Sequence, residues 1–252
     1  MSRRRAAAVL AGVLLVLVFT GLGVWQLQRR AWKLDLIARV DARVHAAPTA
    51  PPGPAAWGRI SRKGDEYRRI RVGGVFENDR ETLVQAVTQA GPGFWVMTPL
   101  RTDQGYVVLV NRGFVPQEQS RQASRLAGLP AGESAVTGLL RMTEPHGGFL
   151  RANQPAQGRW YSRDVTEIAR ARGLSQVAPY FIDADATPNP GGWPRGGLTV
   201  VHFRNAHLAY ALTWFGLAGL TVLWGAWPFI EAARARRRPP GARFDLFHGH
   251  PS

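Results

Sequence analysis

His207, Tyr210 and Trp214 are the residues whose types and spacing point to chemistry. They lie in Asn205-Ala206-His207-Leu208-Ala209-Tyr210-Ala211-Leu212-Thr213-Trp214-Phe215, which opens an uncharged apolar run reaching Trp227. About twenty residues at 1.5 Å each cross a bilayer core of about 30 Å. On a helix, positions three, four and seven apart share a face. His207, Tyr210, Ala211 and Trp214 therefore form one stripe that starts at the membrane surface and descends into it. An imidazole with two aromatics below it suits a flat, metal-bearing ligand, because neutral imidazole is a good metal ligand and rings stack on flat partners. The same stripe suits an ordinary interfacial belt, with the histidine bonded to a headgroup or a backbone carbonyl. Both readings are open at this point. A histidine pair, His248-Gly249-His250, could bind a metal weakly, but a mobile tail is its ordinary explanation.

A second element must accompany the first. Residues 6–24 carry no charge and are long enough to span, with Trp25 as an interfacial anchor. A signal peptide is the rival reading, with Arg3, Arg4 and Arg5 as its n-region. The apolar stretch is long for that, and Val24-Trp25-Gln26 is a poor cleavage site, so the segment is expected to remain as a span. It is not an Arg- and Ser-rich amphipathic transit peptide, which favours a bacterial protein. Arg234, Arg236, Arg237, Arg238 and Arg243 flank the second span more strongly than anything on its other side. The positive-inside rule then places both termini in the cytoplasm and the long middle segment in the periplasm. The expected divisions are a cytoplasmic N-terminus at 1–5, spans at 6–25 and 206–228, a periplasmic domain at 26–205 and a cytoplasmic basic tail at 229–252. Residues 26–43 keep helical character and extend the first span, and 46–56 is a Pro- and Ala-rich linker.

The middle segment is strand-like. Residues 67–76, 82–87, 94–100 and 106–110 are short runs of β-branched and aromatic residues between Gly, Asn, Asp and Pro. Thr102-Asp103-Gln104-Gly105 reads as a hairpin turn with Gly at a positive-φ position. Residues 135–142, 159–163, 180–182 and 198–203 are further strand candidates. Asp164-Val165-Thr166-Glu167 has the spacing of a capping box, and the helix it starts should end at Gly173. The expected fold is an α+β membrane protein: two transmembrane helices flanking a periplasmic antiparallel β-rich domain, a sheet or partly closed barrel, with one or two helices.

The formal charge of +15 invites a nucleic-acid partner, but much of the arginine clusters at the span ends, where it is topological. Nucleic acid is therefore not expected; membrane lipid is. The chain has no cysteine, which excludes disulfides and thiolate chemistry. There is no H-E-x-x-H, G-x-S-x-G or P-loop, and Gly21-Leu22-Gly23 lacks the third glycine of a dinucleotide site. Nothing points to an enzyme.

Four segments carry a resemblance. They are Gly21-Leu22-Gly23-Val24-Trp25-Gln26-Leu27-Gln28-Arg29-Arg30 with Trp32, Lys33, Leu36 and Ile37; Glu66-Tyr67-Arg68 with Gly74 and Phe76; Val110-Asn111-Arg112-Gly113-Phe114-Val115-Pro116; and Asn205-Ala206-His207-Leu208 with Tyr210-Ala211 and Thr213-Trp214-Phe215. In this order, between two spans, the chain resembles the Surfeit locus protein family, assembly factors for cytochrome c oxidase. Phe114 stands where the family usually has Trp, and residues 117–158 match only loosely.

The resemblance implies a role in maturing haem–copper oxidases in the bacterial inner membrane. Bacterial members of the family are thought to bind haem a and help deliver it to the oxidase subunit carrying the haem sites. The family's implicated haem ligand matches His207, which makes it the expected axial ligand to the iron. Tyr210 then becomes a candidate porphyrin neighbour, and Trp214, lying deeper, reads as packing. Trp25, Gln26, Arg29 and Arg30 should lie at a similar depth to His207, and either arginine can fork onto a propionate. Enzymes that make haem a are further candidate partners. Two other readings stay open: an oxidase-docking scaffold that never touches haem, and a periplasmic-facing enzyme acting on haem or lipid. Of the remaining features, Gly21, Gly23, Gly216 and Gly219 are expected to let the helices approach, Asn111 to Pro116 to leave a strand for a turn, and Glu66 and Arg68 to pair on a strand surface.

Overall fold

The computed structural model describes residues 3–148, 151–199 and 205–236. The expectations for His248, His250 and Arg237 to Arg243 lie outside them. The chain divides into two units, Ile37–His202 on one hand and Met1–Leu36 with Phe203–Ser252 on the other.

The first unit is built on six strands: β1 (Arg69–Phe76), β2 (Thr82–Thr88), β3 (Gly91–Thr102), β4 (Val107–Pro116), β5 (Glu133–Met142) and β6 (Val177–Ala184). They lie in the order β1-β5-β6-β4-β3-β2, and β1 also pairs with the far end of β3, Gly74 opposite Thr102. That extra pairing closes five strands into a barrel, with β2 paired to β3 beyond it. A closed sheet has no free edge among the strands that close it. The pairs are antiparallel except β4 with β6, which run parallel, so the antiparallel expectation needs that one amendment. Leu109 faces Phe181 and Asn111 faces Asp183 across it.

Alternation along the strands sorts the side chains into two cores. Ile70, Val72, Leu100, Val108, Val110, Leu140, Tyr180 and Ile182 pack together on one face. Met97, Leu109 and Phe181 point the other way and are covered by Trp160 and by Val165 and Ile168 of a short helix. β4 is thus buried on both faces, which explains why Val107, Val108, Leu109 and Val110 are all apolar. That short helix, Val165–Ala171, is numbered α3, after a first helix and a one-turn α2 (Arg62–Asp65). Asp164 caps it by accepting from the Glu167 N–H at 3.1 Å, and Gly173 follows its end in the left-handed region. The turn from β3 to β4 contains Gly105 at φ 87°, as its position required.

Several local expectations are corrected. Asn111 to Pro116 is not a turn but the second half of β4. Its polar residues are buried, and Asn111 is satisfied within the fold: it donates to Asp183 at 2.8 Å and accepts from the Gly113 N–H at 3.1 Å. Gly113 has φ 129°, and a side chain there would strike the backbone of Arg195. Glu66 and Arg68 do not pair with each other. Glu66 is held by Arg62 at 3.0 Å and Arg68 by Asp65 at 2.8 Å, because the backbone turns at Tyr67, φ 67°, and sends the two side chains apart. Residues 159–163 form no strand; Arg159 bridges to Gln154 and Trp160 to Val84 as isolated pairs. Leu198 and Thr199 are not in a strand, and the rest of that candidate lies outside the described residues.

Around Asp183 the β unit buries charge. The carboxylate accepts from Arg141 at 2.8 Å, Arg163 at 3.0 Å and Thr199 at 2.9 Å, besides Asn111. Arg163 also grips Glu144 at 2.6 and 3.0 Å. Burial alone would lower the Arg163 pKa; Asp183 and Glu144 outweigh it and raise it.

The second unit is helical. Helix α1 (Arg3–Val44) is continuous, 42 residues or about 63 Å long. Its last turns belong to the β unit, where Arg43 donates to the carbonyls of Lys63 at 2.7 Å and Glu66 at 3.2 Å. Helix α4 (His207–Arg236) continues past Pro228. Both α1 and α4 are long and apolar enough to cross a membrane. Their apolar residues face outward rather than into a core: Leu10 is 71% exposed and Trp224 83%. A core helix of a soluble domain buries such residues; a bilayer-spanning helix presents them to lipid.

Candidate functional site

The two long helices meet along a narrow seam. On α4 the residues turned inward include His207, Ala211, Trp214 and Ala218, at spacings of four, three and four, with Phe215 beside Trp214. On α1 they are Phe19, Gly23, Gln26 and Arg30, at the same spacings. This is the heptad pattern by which two helices keep one face together over several turns. Three contacts fix the pairing and show the helices to be antiparallel. Phe19 stacks on Trp214 with ring centroids 5.8 Å apart. A side chain at Gly23 would overlap the ring of Phe215, at 2.6 Å from its nearest atom. His207 Nδ1 lies 2.7 Å from the side-chain oxygen of Gln26.

The glycine expectation is thereby corrected. Only Gly23 lies at the seam; a side chain added at Gly21, Gly216 or Gly219 would meet nothing within 4 Å. The close approach is a phenylalanine filling the space above one glycine, not two glycine faces in contact.

The seam also sorts the residues singled out in the sequence. Trp214 is a packing residue against Phe19. Tyr210 does not share the inward face; it is 57% exposed, because the 4–3 seam runs through Ala211 instead. Trp25 is 51% exposed, one residue off the seam. Arg29 turns back along α1 and stacks its guanidinium 4.9 Å over Trp32. Arg30 is half-buried on the seam side, one turn beyond Gln26. Among the described residues no hydrogen bond or ion pair joins Trp25, Arg29, Arg30 or Tyr210 to His207. The residue that does join it, Gln26, had no marker beyond its depth: its partner is 181 positions away.

The donor chemistry follows from that bond. In the tautomer that makes this contact a hydrogen bond, Nδ1–H donates to the glutamine oxygen and the Nε2 of a neutral imidazole keeps a lone pair. A single neutral imidazole can complete the coordination of an iron already held by a porphyrin, whereas a bare metal ion needs several protein ligands. Among the described residues no group of three or more His, Asp or Glu is placed to hold an ion. The seam end thus offers one imidazole nitrogen; Trp25 and Tyr210 are exposed on neighbouring turns of the two helices, and Arg29 and Arg30 follow Gln26 by about one turn of α1. Imidazole, aromatic and guanidinium groups are the side-chain types that can meet an iron, a flat apolar ring and carboxylates.

Comparison with known proteins agrees with the residues quoted above. The model of the SURF1 family matches residues 13–219. Surfeit locus protein 1 of Rattus norvegicus is 38% identical over 237 residues, covering 88% of this chain and 73% of its own length. The Homo sapiens protein is 38% identical over 84% of this chain and 75% of its own, and a SURF1-like protein of Monosiga brevicollis is 38% identical over 86% and 85%. The chain belongs to the SURF1 family.

Proposed function

We propose that this SURF1 family member is a membrane-anchored assembly factor for cytochrome c oxidase, which binds haem a at His207 and assists its delivery to the oxidase subunit carrying the haem sites. The observation that carries the haem part is the His207–Gln26 bond, which occupies Nδ1 and leaves Nε2 with a free lone pair at the end of the helix seam. The oxidase part rests on the family resemblance. Both are consistent with a protein that carries two candidate spans and no enzyme motif.

When bound, haem a supplies the iron that takes the imidazole. The chain's own residues do the rest. His207 holds the group at one atom, which is compatible with release, since one imidazole is a weaker hold than an enclosing set of ligands. Tyr210 and Trp25 are exposed rings able to cover a macrocycle face, and Arg30, with Arg29 beside it, would meet a propionate. The arginine flanks support an orientation with both termini in the cytoplasm of a bacterial cell and the β unit in the periplasm. There, the barrel would meet the oxidase.

The test is an absorption spectrum of the protein purified from cells that make haem a, beside a His207→Ala variant at matched expression. Co-purified haem a in the wild type and its loss in the variant are expected, with oxidase activity reduced in a deletion strain. Haem-free protein together with reduced oxidase activity would leave the docking scaffold as the function.

A further inference from the structure

We infer that Gln26 is a positioning residue that holds His207 as its Nδ1–H tautomer, so that Nε2 is the nitrogen offered to a ligand. The part of this inference that concerns haem rests on the reading above; the tautomer does not.

The seam itself motivates the assignment. Phe19, Gly23, Ala211, Trp214 and Ala218 make it apolar or small wherever the two helices pack, and Ala211 is 1% exposed. Gln26 and His207 are a polar pair at the end of this seam, and an unpaired amide or imidazole there would carry an uncompensated desolvation cost. Each satisfies the other at 2.7 Å. A neutral imidazole has one N–H, so an acceptor at Nδ1 determines the state of Nε2 without touching it. The bond also fixes the ring's rotation about χ2. His207 is the first residue of α4, where a ring without a partner would turn freely. Histidines that ligate metals commonly donate their second nitrogen to such an acceptor, and loss of that acceptor typically costs about 10- to 100-fold in metal affinity.

A polar pair in a helix seam can also do no more than set register. The two roles differ in what they require. Register is satisfied by either tautomer and by either orientation of the glutamine amide; positioning requires the side-chain oxygen at Nδ1. The measurements therefore begin without haem. The full-length protein, labelled with 15N histidine and reconstituted in lipid nanodiscs, gives the ring-nitrogen shifts of all six histidines, and His207→Ala identifies the one that matters. The Nδ1–H tautomer is expected in the wild type and in Gln26→Glu, which keeps the acceptor. A mixture is expected in Gln26→Leu. Titration with haem a is then expected to show binding weakened about 10-fold or more in Gln26→Leu, and restored in Gln26→Glu with a shifted spectrum from the more basic imidazole.

An Nε2–H tautomer in the wild type overturns the inference. So does a tautomer that Gln26→Leu leaves unchanged, or haem affinity equal to wild type in Gln26→Leu while His207→Ala has lost it. Wild-type haem binding in His207→Ala has a different meaning: it removes the haem reading and the haem part of this inference with it, while the ring-nitrogen shifts still decide whether Gln26 sets the tautomer.

Discussion

Asn111 donates a hydrogen bond to Asp183 at 2.8 Å between register partners on parallel strands, and both residues are almost wholly buried. A buried carboxylate is costly unless its lone pairs are filled, and here Arg141, Arg163 and Thr199 complete the set. Removing the carboxylate leaves two buried guanidinium groups sharing Glu144 and Glu66. Asp183→Ala should therefore destabilise the protein by about 3–5 kcal/mol, the usual cost of breaking a buried pair by deleting one partner. Thr199→Val, which removes one neutral donor from a multiply bonded carboxylate, should cost about 1 kcal/mol. Chemical denaturation of the purified proteins, followed by tryptophan fluorescence, checks the order. Equal losses from the two variants would show that the charge network is not what holds β5, β6 and the Arg163 segment together.

That network shows why parts of the fold were legible and others not. The cap at Asp164 and the turn at Gly105 depend on residues within a few positions, so their signals are local and were read correctly. Asn111-Arg112-Gly113 looks like a turn for the same local reason, since polar residues beside Gly usually mark one. Its actual partners, Asp183, Asn189 and the carbonyl of Gly128, are up to 77 residues away, and they convert it into a buried strand. Barrel closure through β1 and β3 is likewise non-local. The candidate site divides in the same way. His207 was visible from its place at the head of an apolar run. Tyr210 seemed to share its stripe because helical spacing gives a broad face, and only the second helix selects the narrower line through Ala211. Gln26 carried no signal by itself; it becomes a site residue only when α1 and α4 are paired.

Two buried phenols give the β unit a response to alkali. Tyr180 donates to the Pro52 carbonyl at 2.8 Å, and the Tyr106 hydroxyl is buried with no hydrogen bond of its own. Burial raises the pKa of both, and for Tyr180 the neighbouring Tyr106 adds to it. In the unfolded chain a phenol ionises near 10. Above that pH the unfolded state loses protons that the native state keeps, so stability falls as pH rises. Burial of Arg112 acts in the opposite sense. Its pKa is pushed down to about 10, so above that pH the native state sheds this proton before the unfolded chain does. The informative quantity is therefore a difference. Between pH 8 and pH 11, the Tyr106→Phe/Tyr180→Phe double variant should lose less stability than the wild type by denaturant unfolding. A wild type and a double variant that fall in parallel would mean the phenols ionise as readily in the fold as outside it.

The two arginines beyond Gln26 should not contribute equally. Arg29 and Arg30 are adjacent in sequence, and the resemblance does not distinguish them. In the structure Arg29 is exposed and committed to the face of Trp32, whereas Arg30 is half-buried at the seam position that follows Gln26 by one turn. Positions four apart on a helix stack on one face, so Arg30 projects on the side from which Gln26 reaches His207. A propionate of a group held at His207 would then meet the Arg30 guanidinium. Such a contact is charge-assisted but partly solvated, so its loss is modest. Arg30→Gln should weaken haem retention by roughly three- to tenfold, while Arg29→Gln should stay within about twofold. Arg30→Lys should recover only part, because an ammonium cannot form the two parallel bonds of a guanidinium fork. His207→Ala should exceed all three, since it removes the proposed iron ligand itself. Haem a retained per protein after a fixed wash, at matched expression, ranks the four variants. If Arg29→Gln proves the more damaging arginine substitution, the carboxylates lie on the Trp32 face of α1, and the group is oriented away from the seam rather than along it.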